Sequence, residues 1–531
     1  MSAVVTDQFR IFNATNFIDS VLDSSNSYYV FVGLSNPSPA SVGFGRVNDW
    51  DGPGVTNGVV PNPTDNFDYL NHYESNILFG KKITSANIRR VIRRIDWTVG
   101  TRYEMYRPDY SGINSSPITN SYRLYDANYY VMNSEYRVYV CIDNGSSGTS
   151  PLGNASETEP SFTDLEPVKF NDGYVWKYLY TISPSDIVKF DSTEYITIPN
   201  DWSTTTNPQI VAVRENGNAS LNDNQIKKVY IQNTGVGYTE GTLSCNLVGD
   251  GSGGTVSVTV NSEGKVSDVI VTSGGKNYTY ALVDLQTTSS NIGITTRANL
   301  IPIIPPSKGH GYDVYTELGA DKVLTYARFD DSTKDFPTDT KFAQVGILKN
   351  PTVEDAGIGN TVYTQNEFSA VYAMKFDSTP TGTVSVGDKI MQTHSSGGKS
   401  VGYVVSYDAE TKVLKYVRDR SLYFNNGSSG VNHQDYTGIS SYFSTTGTIL
   451  NFESSAESVT TIGGFSGTIG SFSGITTTVG NKITNLGVQF TNGLAKPEIN
   501  TNSGDIIYID NRPIVTRNSR QKEDIKIILE F

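Results

Sequence analysis

The chain has 531 residues and a formal charge of -13 at neutral pH, from 41 Lys plus Arg against 54 Asp plus Glu. Binding to phosphate draws most of its affinity from cations that release counterions, so this acidic balance excludes a protein that coats nucleic acid and leaves only local patches to be judged. With 37% hydrophobic residues the chain can bury a large core divided among two to four domains. Cys141 and Cys245 lie too far apart for a CxxC site or a disulfide framework and read as buried thiols. MSAVVTDQFR has no basic stretch leading into an apolar one, and no run of about 18 apolar residues occurs, so the expectation is a soluble chain made in the cytoplasm. The abundance of Gly, Asn, Ser, Thr and Tyr, with few stretches rich in Ala, Leu, Glu and Lys, predicts strands joined by turns.

In chain order, NATNFIDSVLDSS predicts a short helix capped by Thr15 or Asn16, with Phe17, Ile18, Val21 and Leu22 on one face. YYVFVGL (28–34), closed by Asn36-Pro37, reads as a buried strand. YRVYVCI (136–142) and YVWKYLYTI (174–182) read as two more. Between 205 and 306 the texture turns glycine-rich, and KVYIQNTGVGYTEG is echoed by DVIVTSGGKNYTYA. Val229, Ile231, Gly235, Tyr238 and Thr239 correspond to Val269, Val271, Gly275, Tyr278 and Thr279, which predicts two similar β-units, stacked or paired, with GDGSGGTVSVTV as the strand between them. GDGSGG carries one carboxylate and reads as a turn rather than a calcium loop. VLTYARFD and FAQVGIL are further strands, and GYVVSYDAETKVLKYV is a hairpin about a polar turn. That hairpin lies in a second Ser/Thr/Gly-rich stretch, 366–494; IIYIDNRPIV and DIKIILEF then supply closing strands.

Few residues suggest chemistry. SGGKS (396–400) lacks the first glycine of a phosphate loop, where Thr393 stands, and leads into a strand rather than a helix. His72, His310, His394 and His433 share no metal spacing and read as ordinary surface or loop histidines, and no GxSxG elbow occurs. What stands out is NIRRVIRRIDWTVGTRYEMYR (87–107), six arginines in twenty-one residues. Ile88, Val91, Ile92 and Ile95 fall at helical spacing with Arg89, Arg90, Arg93 and Arg94 opposite; the rival is an extended strand beginning near Ile92. In an acidic chain the guanidinium fork finds carboxylates more readily than phosphates, so salt-bridging within or between subunits is the stronger reading.

VIRRIDWTVGTRYEMY, FNDGYVWKYLYTISPSD followed by EYITIP, FAQVGILKNP and GDIIYIDNRPIVTRNSRQKEDIKIILEF resemble, in that order, the dimeric baseplate wedge subunits of T-even-type contractile-tailed phages. The signature positions are Arg93, Asp96, Trp97 and Tyr103; Asp172, Gly173, Tyr174 and Trp176; and Tyr508, Asn511, Arg512 and Pro513. The resemblance implies a mainly β fold: a β-sandwich core with a few short peripheral helices, formed by 1–204, 307–365 and 495–531, with all-β modules inserted at 205–306 and 366–494. It further implies a structural virion protein of the tail baseplate, a homodimer whose partners are other wedge proteins. No catalytic, cofactor or metal site, nucleic acid, membrane or small-molecule substrate is implied. The rival function is a tail adhesin whose inserted modules bind host-surface glycan. Thirty-three tyrosines, each an apolar ring with a polar tip, suit a protein of large interfaces.

Overall fold

The computed structural model describes residues 5–33, 60, 62–63, 73–217, 225–285, 294–330, 336, 340–354, 361–393, 399–418, 422–424, 434–439, 448–455, 458–518 and 521–531. The β-branched and aromatic runs become strands, and the architecture is mainly β, with sandwich-like sheets and a few short helices. No described helix is long and apolar enough to cross a membrane. The chain divides into two compact units, one of residues 1–18, 89–324 and 528–531, the other of 19–88 and 325–527.

The first unit is built on the strands Tyr130–Met132, Arg137–Asn144, Tyr174–Thr181 and Val168–Lys169, adjacent in that order. The strands expected at 136–142 and 174–182 are the central pair, with Val140 opposite Lys177 and Cys141 opposite Trp176. Tyr139, Trp176, Tyr178 and Tyr180 are buried in one aromatic cluster. The N-terminal helix α1 (Asp7–Leu22) is longer than predicted. Its start is marked by Thr6, whose Oγ1 accepts the Phe9 amide at 3.3 Å. Thr15 and Asn16, the expected caps, are both interior, and Thr15 spends its hydroxyl on the Ile11 carbonyl at 2.9 Å.

The glycine-rich stretch forms the sheet Val266–Lys276, Ser252–Val260, Gly241–Gly249, Ala281–Val283, beside the pair Val229–Asn233 and Asn299–Pro302. The two echoed segments share one apolar cluster. Each uses the same device: Gly235 and Gly275 both sit at φ +63°, which lets the ring of Tyr238 or Tyr278 fold back over them. The buried hydroxyls then accept a backbone amide, Ala298 at 2.9 Å for Tyr238 and Gly254 at 3.1 Å for Tyr278. GDGSGG is a turn into the Ser252–Val260 strand, and its carboxylate is already engaged. Asp250 accepts the Thr279 hydroxyl and the amides of Thr279 (2.9 Å) and Tyr280 (3.2 Å), bonds that hold it down at about 2.

In the second unit the predicted strand Tyr28–Gly33 is buried at every residue. It sits at the centre of the sheet Glu367–Ser369, Ile77–Lys82, Tyr28–Gly33, Lys341–Lys349, Asp505–Thr516. The predicted hairpin is the pair Lys399–Asp408 and Val413–Arg418, inside a seven-stranded sheet. The SGGKS stretch lies partly, and Asn36-Pro37 wholly, outside the described residues, and Lys399 opens a strand. The last strand, Glu523–Glu530, lies beside Lys322–Phe329, where Asp524 takes Arg328 at 2.6 and 2.8 Å. Arg517 is fully buried, bonded to Glu523 at 2.7 Å and the Phe336 carbonyl at 2.6 Å, with its guanidinium 4.0 Å from the Phe336 ring centre. The Glu498 carboxylate accepts the Ser369 amide at 2.7 Å, and burial raises its pKa.

Gly275→Ala puts a β-carbon 2.6 Å from the Ser252 carbonyl at a left-handed φ, and is expected to cost about 2–4 kcal/mol in urea unfolding. Glu498→Gln tests the buried carboxylate. The folded chain holds the Glu498 proton more tightly than the unfolded chain, so its contribution is fully present below the ordinary glutamate pKa and is lost as pH rises through the raised value. The Gln variant should therefore melt above wild type at pH 7, with the difference closing near pH 4.

Candidate functional site: the arginine strand and the aromatic core

Residues 88–93 form a strand, not a helix, antiparallel to Tyr195–Ile198, with Arg90 opposite Ile198 and Ile92 opposite Ile196. The helical reading fails because both faces of the strand are covered. Ile88, Arg90, Val91 and Ile92 are all buried, so the usual alternation is replaced by a nearly continuous buried run that mimics helical spacing. The strand rival is the one observed, starting earlier than Ile92.

Five of the six arginines are held by groups of their own unit. Arg89 reaches both carboxylate oxygens of Asp186 at 3.0 Å, and Asp186 sits in the first turn of the helix Pro184–Phe190. Arg90, 2% exposed, bonds Thr15 at 3.1 Å and lies 4.0 Å from the Tyr315 ring centre. Arg93 donates to the carbonyls of Asp126 (3.1 Å) and Ala127 (2.9 Å) and to Asn128 Oδ1 (2.9 Å), closing the 3-10 turn Leu124–Asp126. Arg94 takes Asp96 at 2.9 Å, Asp191 at 2.9 Å and the Ser192 carbonyl at 2.9 Å. Arg107, 1% exposed, forks onto Asp109 at 3.0 and 2.7 Å beneath the Tyr230 ring at 3.9 Å. Burial works against its charge, and Asp109 outweighs burial to leave its pKa above the ordinary arginine value. Arg102 alone of the six is exposed with neither a side-chain hydrogen bond nor an ion pair among the described residues.

A groove of about 470 Å³ opens beside the strand. It is lined by Arg93, Arg94, Arg123 and Lys322 but equally by Asp126, Glu194, Asp321 and Glu530, so it carries no excess of positive charge. That balance does not make a phosphate site.

Asp96, Trp97, Tyr103 and Asp172 to Trp176 come together in the same unit. The Tyr103 hydroxyl accepts the Thr98 amide at 2.7 Å, and its own amide donates to the Tyr174 hydroxyl at 2.9 Å. Tyr174 stacks on Trp176, 5.3 Å between centres and 9° between planes, with Tyr103 edge-on to Trp176 at 5.9 Å. Gly173 at φ +92° makes the turn, and Asp172 caps it by accepting the amides of Tyr174 (3.0 Å) and Glu157 (2.9 Å). Trp97 bonds Ser156 at 3.0 Å, and the buried Trp176 indole N–H has no partner among the described residues.

Tyr508, Asn511, Arg512 and Pro513 lie in the second unit, on the edge strand Asp505–Thr516. Gln344 pairs with Asn511 and Phe342 with Val515, so Arg512, Pro513 and Ile514 bulge opposite Ala343. Proline, lacking a donor, suits such an edge bulge, while Asn511 is buried and accepts Gln344 Nε2 at 2.8 Å. Arg512 is exposed and pairs with Asp510 at 2.7 Å.

His310 lies in a turn, as a loop histidine does, but not at the surface: it is 8% exposed, with Nδ1 2.6 Å from Glu317 Oε1 and its ring edge-on to Tyr106. His72, His394 and His433 lie outside the described residues. Cys141 and Cys245 are buried free thiols, and burial pushes Cys141 well up. Among the described residues no group of three or more His, Cys, Asp or Glu is placed to hold a metal ion. Many tyrosines serve the chain's own core, with Tyr29, Tyr103, Tyr129, Tyr130, Tyr139, Tyr174, Tyr178 and Tyr180 among the largest buried side chains, whereas Tyr122 and Tyr280 are exposed. Local sequence gives no sign of the Lys228–Asp143 pair at 2.9 Å or of Tyr230 over Arg107, which tie the glycine-rich module to the sheet beside it.

No known protein-family model matches the chain. It is 26% identical over 218 residues to the baseplate wedge protein gp8 of Enterobacteria phage T4, an alignment that takes in 37% of this chain. The alignment spans 60% of the length of that relative.

Arg107→Ala empties a buried site beneath Tyr230 and takes the ion pair from Asp109, which stays partly exposed and bonded to Asn114; it is expected to cost about 2–3 kcal/mol in urea unfolding, against less than about 0.5 kcal/mol for Arg102→Ala. The Arg93→Ala, Arg94→Ala double variant should lower the melting temperature and leave behaviour toward DNA unchanged. A salt-sensitive DNA mobility shift by wild type that the variant loses would make the strand a nucleic-acid site instead.

Proposed function

We propose that this chain is a structural subunit of the baseplate wedge of a contractile phage tail, assembling as a homodimer with other wedge proteins around the tail hub. The observation that carries the reading is the 26% identity over 218 residues to the T4 wedge protein, in a chain whose segments also follow the wedge-subunit order. In this reading the core comprises 1–204, 307–365 and 495–531, with modules inserted at 205–306 and 366–494, and the protein resides in the virion baseplate. It is not an enzyme: its work is to hold geometry under load.

Arg93, Asp96, Trp97, Tyr103, Asp172, Gly173, Tyr174 and Trp176 then act as internal framework, and Tyr508, Asn511, Arg512 and Pro513 shape a sheet edge. What supports this is the way their polar atoms are used. Arg93 closes a turn, Asp172 caps another, Tyr103 and Tyr174 bond backbone, and Asn511 fixes Gln344. A subunit that assembles through large specific interfaces needs such a fixed framework behind its surfaces.

Light scattering of the purified chain should give twice its 58.0 kDa mass. Mixing with the other wedge proteins of its phage should then yield a complex that contains it. A chain that stays monomeric across the micromolar range and joins no wedge complex sinks the proposal.

A further inference from the structure

Helix α1 is apolar on two sides. Ile11, Ala14 and Ile18 are 6%, 0% and 1% exposed and face the chain's own core. Phe9 and Phe12, at i and i+3 on the side away from that face, are 52% and 58% exposed, and Val5, just before the helix, is 48% exposed, so the three form the outer stripe. A helix with apolar residues on opposite sides is suited to burial on both. The charges at this end are turned back into the chain: Asp7 pairs with Arg123, and Arg10 faces Glu530 at 4.0 Å. The rim around the stripe carries Gln8, Asn13 and Asn16, and the exposed Asp19 follows two turns beyond Phe12.

We infer that this stripe docks a second copy of the chain, α1 against α1 across a two-fold axis. The inference rests on the homodimer reading above and adds its location. With a net charge of -13, most of the surface repels a like chain, and an apolar patch whose own residues carry no charge is where two copies can approach without burying unpaired charge. A two-fold contact brings the same patch to itself, so phenylalanine meets phenylalanine. Two half-exposed phenylalanines and a valine offer on the order of 300 Å² per copy, against roughly 800 Å² per partner in a standard interface. The stripe is thus the aromatic anchor at the centre of a larger contact.

The test uses the full chain: light scattering over a concentration series for wild type and for Phe9→Glu, Phe12→Glu, with far-UV circular dichroism and melting as controls. Wild type should be dimeric, and the double variant monomeric with its dissociation constant raised at least ~100-fold and its melting curve otherwise intact. As a control for disturbance of α1 by two glutamates, Phe9→Cys and Phe12→Cys are each treated with a short bismaleimide, since Cys141 and Cys245 are buried. A cross-linked dimer is expected from at least one. A dimeric wild type with an equally dimeric Glu variant, or with no cross-link from either Cys variant, overturns the α1 contact and leaves the homodimer standing. A monomeric wild type overturns the homodimer itself and the contact with it.

Discussion

A guanidinium cannot shed its charge, so burying one obliges the fold to supply acceptors in its plane and something polarisable above it. Among the described residues, three buried guanidiniums each have an aromatic ring. Arg90 lies 4.0 Å from the Tyr315 ring centre, Arg107 3.9 Å from Tyr230 and Arg517 4.0 Å from Phe336. Arg107 and Arg517 add a carboxylate in the guanidinium plane, Asp109 and Glu523. Arg90 instead uses the Thr15 hydroxyl, and its Nε has no partner among the described residues. The surrounding elements are thereby fixed: Arg107 reaches from the segment after the arginine strand to Tyr230 at the start of the glycine-rich module, and Arg517 gathers Glu523, Gln521 and Phe336.

Tyrosine does the complementary work. Inside the core the rings pack edge to face, Tyr106 on Tyr129 and Tyr139 on Tyr178, while the hydroxyls tie down carbonyls that the strands leave open. Tyr129 bonds the Glu317 carbonyl at 2.7 Å, Tyr130 that of Arg93 at 2.6 Å and Tyr180 that of Thr197 at 3.0 Å. Burial raises the pKa of all three, so they remain donors. A composition that suits interfaces is here largely used for internal cohesion, which leaves α1's phenylalanines as the more telling exposed aromatics.

The candidate site was legible unevenly. Asp172-Gly173-Tyr174 carries its own explanation, because a glycine at positive φ and an aspartate capping it are local chemistry. Asn511-Arg512-Pro513 reads as part of a strand, yet only the pairing of Phe342 with Val515 and Gln344 with Asn511 reveals the bulge that accommodates the proline. For 88–93 local spacing misled, since a strand covered on both faces loses its period of two. The α1 cap was misplaced because Thr6 and Thr15 are both plausible caps, and only the helix's extent separates them.

By itself the sequence determined the β character, long apolar strands such as Tyr28–Gly33, Tyr174–Thr181 and Lys341–Lys349, and the echoed Gly-x-x-Tyr units, because period, β-branching and turn chemistry act over a few residues. It also determined that the arginines must seek carboxylates and carbonyls, because charge balance is a property of composition. Which partner each one takes was decided by tertiary structure. Asp186, Tyr315, Ala127, Asp191 and Tyr230 lie far along the chain from the arginines they engage, and no local period encodes a contact that only sheet pairing and core packing bring within reach.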